Sequence, residues 1–316
     1  MEKGLQPRTL AGKSTKPLLP RITRHWVLYL LFLPIIAYYI IFRYTPIINS
    51  VLIAFKDYKL KLGIWDSPFV GFKHFAEIFK NPDIVRVLRN TVQISLLRIL
   101  FGFTPPIILA IMFYDMRAKR YKRITQTLVY IPHFFSWVIV FGVVWAFVSE
   151  GYGLLNRLTQ LLGGKPVNYL MSQKYFRSVI ILSAIWKEVG WGTIIYMAAL
   201  TGIDAELYEA AVIDGAGPLK RIWHISLPGI MPVISFVMCL NLGSILAAGG
   251  EQLLTFYNPS VYEVADIIDT WNYRIGVGQL KISLGTAVGM FQSFFGMITL
   301  ITANKVLRRF VGHGIW

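Results

Sequence analysis

The chain has one cysteine, Cys239, and that residue lies in an apolar run. A lone cysteine excludes an intrachain disulfide and a cysteine-based metal cluster, which leaves space-filling as its ordinary duty. Charge is scarce: 15% of residues are charged, where a soluble domain averages about 25%. No GxxxxGK[ST] phosphate loop occurs, so any ATP must be hydrolysed on another chain. His25, His74, His133, His224 and His313 are scattered without metal-ligand spacing, as structural histidines usually are. No small-x-small cleavage site follows the first apolar run, so that run reads as an uncleaved span and not a removed signal peptide.

What is present is apolar length. Hydrophobic residues make up 55% of the 316, mean hydropathy is +0.55, and the runs extend from residue 26 to residue 306. This composition belongs to an all-α integral membrane protein. About six transmembrane helices are predicted, near 26–47, 90–114, 125–148, 178–202, 228–249 and 284–306. Pro34, Pro105, Pro106, Pro132 and Pro232 fall inside them, and membrane helices tolerate proline where neighbours satisfy the freed carbonyls. Gly285 and Gly289 form a GxxxG face in the last span, a common pattern that permits close helix approach.

The net charge of +16 and pI of 9.9 do not imply nucleic acid. The basic residues sit between apolar spans, where they meet membrane lipid headgroups, and no RNA-binding fingerprint accompanies them. Residues 115–124 hold five Lys/Arg, the first 24 residues hold six, and the tail adds Lys305, Arg308 and Arg309. The positive-inside rule then puts both termini in the cytoplasm. Segment 43–89 has eight Lys/Arg, an objection weakened by its length and its acids Asp57, Asp66, Glu77 and Asp83. The resulting organisation is a basic cytoplasmic N-terminus over 1–25, a first helix with an extracytoplasmic segment over 26–89, a core over 90–306, and a cytoplasmic tail over 307–316. In the first external segment, Phe72, Phe75, Ile78 and Phe79 share a helical face. The third external segment, 250–283, gathers Glu251, Glu263, Asp266 and Asp269 among aromatic residues.

The internal loop 204–228 is the most informative stretch. Asp204 is suited to cap a helix, with Glu206 and Glu209 near its positive end. Leu207, Ala210 and Ala211 make a small apolar ridge. Gly215 suits the left-handed residue that ends a helix, and Pro218 suits a first helical position. Leu227 and Pro228 open the fifth span. Such a helix, with a rigid elbow on either side, is able to carry a push from a soluble partner into the membrane. Read from the residues alone, it is equally an amphipathic helix lying in the headgroups.

Glu209, Ala210, Ala211, Gly215, Ile225, Leu227 and Pro228 match the EAA loop of binding-protein-dependent ATP-binding-cassette importer permeases, seven residues over 20 positions. Residues 130–140, 185–211 and 227–232 resemble maltose-type sugar permeases, closest to the subgroup paired with lipoprotein binding proteins for oligosaccharides. Ala205 departs from the pattern, since many relatives carry proline there. The resemblance implies a type I importer (MetI-like) permease fold, with 204–228 as the coupling loop. It implies a bacterial cell-membrane location, a second permease subunit, two ATP-binding-cassette subunits carrying ATP and magnesium, and an extracytoplasmic solute-binding lipoprotein. The substrate it implies is a sugar, the chain itself being a transport subunit with no catalytic site, cofactor or metal.

Within the fourth span, Lys187 and Glu188 sit beside Trp186 and Trp191, with Tyr196 further on. Ionisable residues in a span are costly and face the interior, and aromatic faces with polar groups suit a sugar. Trp186, Glu188, Trp191, Tyr196 and Asn241 are therefore the predicted pathway residues. The plain alternative is packing or gating, because adjacent Lys187 and Glu188 point about 100° apart and each has a different helix to pair with. Arg98 is the expected partner of Glu188, and Glu251 and Gln252 are further candidates. Two other functions stay open on the residues alone: an ion-coupled secondary transporter, and a membrane-embedded glycosyl or lipid transferase using the acids of 250–283.

Overall fold

The computed structural model describes residues 26–312, 314 and 315, with Phe310 described in its backbone only. The predicted N-terminal segment 1–25 lies outside the described residues. Two compact units divide the chain, Met1–Leu52 and Ile53–Trp316. In the first unit the described chain is apolar helix, part of helix α1, Trp26–Ala54.

The described helices are α1; α2, Lys73–Lys80; α3, Ile84–Asp115, and the bent pair α4, Lys119–Phe134, and α5, Trp137–Val148; and α6, Leu154–Leu161. They continue with α7, Gln173–Thr201; α8, Ala205–Ile213; α9, Pro218–Gly243; α10, Gly250–Phe256; α11, Ile268–Asn272; and α12, Ile282–Val311. Helices α1, α3, α7, α9 and α12 are each long and apolar enough to cross a membrane, and the bent pair makes a sixth crossing if counted as one.

Three departures from the predicted spans have backbone causes. The third span is not one rod: α4 and α5 meet at 108°. Pro132 has no amide to donate, Phe135 is extended, and Ser136 starts α5 by accepting from the Ile139 amide. The fifth span starts at Pro218 and ends at Gly243, not at 228 and 249. The chain leaves the helix at Ser244 and passes through a turn in which Ala248 and Gly249 adopt positive φ, a conformation no right-handed helix continues through. The last helix runs on to Val311, so the tail expected from 307 is still helical at its start.

Prolines also explain two π-turns. At Ile40–Tyr44 and at Ile222–Ser226, the next amide bonds five residues back, Thr45 to Ile40 and Leu227 to Ile222. Pro46 and Pro228 follow immediately. A residue without an N–H breaks the regular ladder, and widening the preceding turn by one residue absorbs the loss. In α9 this joins Pro218–Arg221 to the membrane helix without a gap.

Helix α7 is central and packs against α3, α4, α5, α9 and α10. One core gathers Ile94, Trp137, Phe176, Ile180, Leu253 and Phe256, and a second gathers Ile107, Ala110, Tyr196, Leu200 and Ile230. A third joins Ile78 and Ile84 to Trp271 and Val288. Ile78 enters that core with Phe75 packed against it, while Phe72 and Phe79 are exposed, so the predicted apolar face of α2 is split. Of the two GxxxG glycines, Gly285 approaches Gly276 closely, and Gly289 faces open space.

Candidate functional site

Two places carry the predicted residues. The first is α8 and its flanks. Asp204 accepts from the Glu206 amide at 3.0 Å, which is the predicted cap. At the other end Gly215 has φ +75°, with Ala216 N–H reaching Ala211 C=O at 2.8 Å and Gly215 N–H reaching Val212 C=O at 3.0 Å. That pair of bonds is a Schellman-type closure, and the left-handed φ is why glycine sits there. No residue of α8 is buried. Glu209, Ala210 and Gly215 are exposed, while Ala211, Ile225 and Leu227 are half-buried and Pro228 is exposed. Leu207, Val212 and Ile213 present apolar side chains outward, Ile213 being 86% exposed.

Tyr208 holds α8 to the membrane helices, and sequence reasoning missed it. Its hydroxyl lies 3.0 Å from Ser226 Oγ at the π-turn of α9, and its ring sits 5.8 Å from that of Tyr114 at the end of α3. The one available signal was its place between the outward-facing Leu207 and Glu209. α9 begins at Pro218, so the predicted start of the fifth span at Leu227–Pro228 is a widened turn inside a continuous helix.

The second place is a cavity of about 410 Å³ between α3, α7 and α9. Glu188, Trp191, Tyr196 and Asn241 line it together with Arg98, Ser95 and Ser244. Trp186 does not line it; that side chain turns outward and is 40% exposed. Asn241 bonds within its own helix, to Val237 C=O at 2.9 Å, and not across to another span.

The ionisable groups pair differently from the prediction. Arg98 does not bond to Glu188: it donates to Ala248 C=O at 3.1 Å and to Gln252 Oε1 at 2.7 Å. Gln252 is in turn fixed by Ile180 C=O and Ser183 Oγ, each at 2.9 Å. A Cβ on Gly249 would overlap the Arg98 guanidinium, so the turn after α9 closes on this side chain at a residue only glycine fits. Glu188 instead meets His133 Nδ1 at 2.8 Å and Lys187 Nζ at 3.3 Å. Lys187 is buried and donates to His133 C=O at 2.6 Å. Neighbours on one helix thus converge on the break between α4 and α5, because that break leaves a carbonyl that needs a donor. The His133 ring also stacks on Trp191, 4.4 Å between centroids and 2° apart in plane. His133, read from sequence as one scattered histidine, is the connector of this cluster.

The acids of 250–283 form no dyad. Asp266 pairs with Arg274 at 2.7 Å, Asp269 accepts from Gln292 at 2.7 Å, and Glu263 lies 3.4 Å from Arg86. Asp266 holds the Arg274 guanidinium above its usual range through that hydrogen bond, and burial pushes the Asp269 carboxyl up. Among the described residues no group of three His, Cys, Asp or Glu is placed to hold a metal ion. The geometry therefore offers a largely apolar cavity between membrane-spanning helices, with Arg98, Glu188 and Asn241 among its lining, and a projecting, capped helix.

Known proteins have the same architecture. The chain is 43% identical over 310 residues to protein LplB of Bacillus subtilis (strain 168), covering 98% of this chain and 97% of that one. It is 41% identical over 304 residues to the polygalacturonan/rhamnogalacturonan transport system permease protein YteP of the same organism, covering 96% and 94%. A chain of a bacterial alginate transporter, crystallised with an alginate pentasaccharide-bound periplasmic protein, superposes with TM-score 0.86 at 38% identity, over 95% of this chain and 100% of that one. Residues 102–313 match the family described as binding-protein-dependent transport system inner membrane component. The chain belongs to that family, and is a membrane permease component of an ABC importer, not an enzyme.

Proposed function

We propose that this chain, with a second permease, forms the path by which a saccharide enters a bacterial cell, and that α8 couples the path to ATP hydrolysis elsewhere. The single observation carrying the coupling role is α8 itself: a helix capped at both ends, with no residue buried, and tied by the Tyr208 hydroxyl to Ser226 of α9. A free helix with small residues at its middle permits close backbone approach by a partner, and its connection to α9 hands any displacement to the membrane. Two ATP-binding-cassette subunits, carrying ATP and magnesium, are the partners this fits. A solute-binding lipoprotein delivers the saccharide from outside, and both termini are cytoplasmic. The saccharide class is supported by relatives named for polygalacturonan/rhamnogalacturonan and for the acidic polysaccharide alginate. Glu188, Trp191, Tyr196 and Asn241 are the pathway contacts, since one cavity holds all four.

Co-purification from detergent-solubilised membranes tests the coupling role. Glu209→Lys reverses a charge on the exposed face, and Gly215→Pro forbids the φ of +75° that ends α8. Each variant should release the ATP-hydrolysing subunit or leave its hydrolysis running without uptake. Uptake by this chain alone, driven by an ion gradient and indifferent to both changes, would overturn the reading.

A further inference from the structure

A second cavity, of about 510 Å³, opens at the N-terminal turns of α3 and α7, beside Glu263 and Val264. Arg86, Arg89 and Arg177 line it. Their surroundings differ. Arg86 is neutralised by Asp83 at 3.0 Å and Glu263 at 3.4 Å. Arg177 is held by neutral acceptors, Val264 C=O at 2.9 Å and Asn90 Oδ1 at 2.8 Å. Arg89 makes no hydrogen bond or ion pair with any described residue, and its charge repels that of Arg177. Gln93, one turn beyond Arg89, lines the same cavity and is also unpartnered among the described residues.

Two guanidinium groups repelling one another at an open cavity, with no acid assigned to either, leave the site short of negative charge. The planar fork of arginine matches a carboxylate, and a free amide matches a hydroxyl. We propose that Arg89 and Arg177 hold the carboxylates of an acidic oligosaccharide, with Gln93 on its hydroxyls, at the extracytoplasmic mouth of the pathway. The proposal rests on the saccharide reading and the orientation given above. Glu263 on the lining supplies a hydroxyl acceptor but opposes a compact phosphate, which favours a ligand carrying spaced carboxylates and hydroxyls together. The same two helices lead onward to the deeper cavity: Arg98 lies nine residues past Arg89 on α3, roughly 14 Å along the axis. An anion leaving the mouth therefore meets a second cation further in.

The assembled transporter in nanodiscs tests this with trigalacturonate and its carboxyl-reduced, neutral counterpart. Wild type should bind the acidic form at least about tenfold more tightly, and the preference should shrink with added salt. Arg89→Gln should lose about tenfold for trigalacturonate and leave the neutral chain unchanged, while Arg89→Lys keeps part of the preference. Arg89 has no hydrogen-bond or ion-pair partner among the described residues, so its variant should fold even if Arg177→Gln does not. Equal affinity for the two chains, or an unaffected Arg89→Gln variant, overturns the proposal. It is also overturned if Arg89→Gln strips bound phosphatidylglycerol in native mass spectrometry while saccharide binding is unchanged, which makes the site one for a lipid headgroup. Failure of the saccharide reading has a separate signature: neither chain binds or stimulates ATP hydrolysis, in any variant, and this proposal falls with it.

Discussion

Single side chains decide whether the bundle holds its polar interior. Lys187 is the donor for the carbonyl that the α4–α5 break leaves open. Lys187→Met keeps the apolar stem but orphans that carbonyl, a loss of about 1–3 kcal/mol that thermal unfolding of the purified complex would detect. Gly190 is similar in kind: a Cβ there would overlap the Val129 carbonyl oxygen, so Gly190→Val should lower the unfolding temperature and part α4 from α7. Glu188→Gln and Trp191→Ala should reduce uptake while the subunits still co-purify; normal uptake by both would place the pathway elsewhere. Asp269 gives a pH dependence. Its carboxyl is raised above the ordinary value of 3.8 by burial, opposed by the Gln292 hydrogen bond. A raised folded-state value means the protonated form is favoured by folding, so stability falls as pH rises from 3.8 through the shifted titration. Asp269→Asn should flatten that part of a stability-against-pH curve measured by thermal unfolding. At this scale the sequence marked Lys187 as an interior charge but not its partner, and it missed Asp266, which is fully buried outside the spans. Lys187 and Glu188 lie more than fifty positions from His133, and no spacing rule links a helix break to the lysine that satisfies it.

Elements were legible where their signals were local. Asp204 and Gly215 marked both ends of α8 correctly, because a cap and a left-handed residue are read from one or two side chains. The break in the third span was less visible, since Pro132 is tolerated in many continuous membrane helices and only the extended Phe135 after it turns the chain. The fifth span misled in the other direction. Leu227 and Pro228 look like a helix start, yet the widened turn at Ile222–Ser226 carries the helix straight through. Pro228→Ala restores the missing amide and lets the turn close to regular geometry, which would rotate α8 relative to α9. The expected result is continued ATP hydrolysis with reduced uptake, measured in reconstituted vesicles. Tyr208→Phe is milder: it removes one hydrogen bond, about 1 kcal/mol, and keeps the ring against Tyr114.

For the molecule as a whole, composition and apolar run length were enough to predict an all-helical membrane protein. The EAA-like loop was enough to predict the family. The cavities were not legible, because each is assembled from helices whose mutual rotation depends on packing that periodicity does not encode. Orientation is directly testable. Cys239 is fully buried, so a single introduced cysteine can be read against the native background. Lys61→Cys should react with an impermeant maleimide in intact spheroplasts, and Ile213→Cys only after lysis; the reverse pattern would invert the orientation.

Because α9 is unbroken from Pro218 to Gly243, it behaves as a stiff lever whose short end is tied to α8 and whose long end carries Asn241. The 23 residue steps from Pro218 to Asn241 span roughly 35 Å at the helical rise. A swing of about 5° around the lower end sweeps an arc of about 3 Å at Asn241, roughly the width of a water molecule. An angular change of this size therefore alters the width of the cavity that Asn241 shares with Tyr196 by about as much as one water molecule occupies.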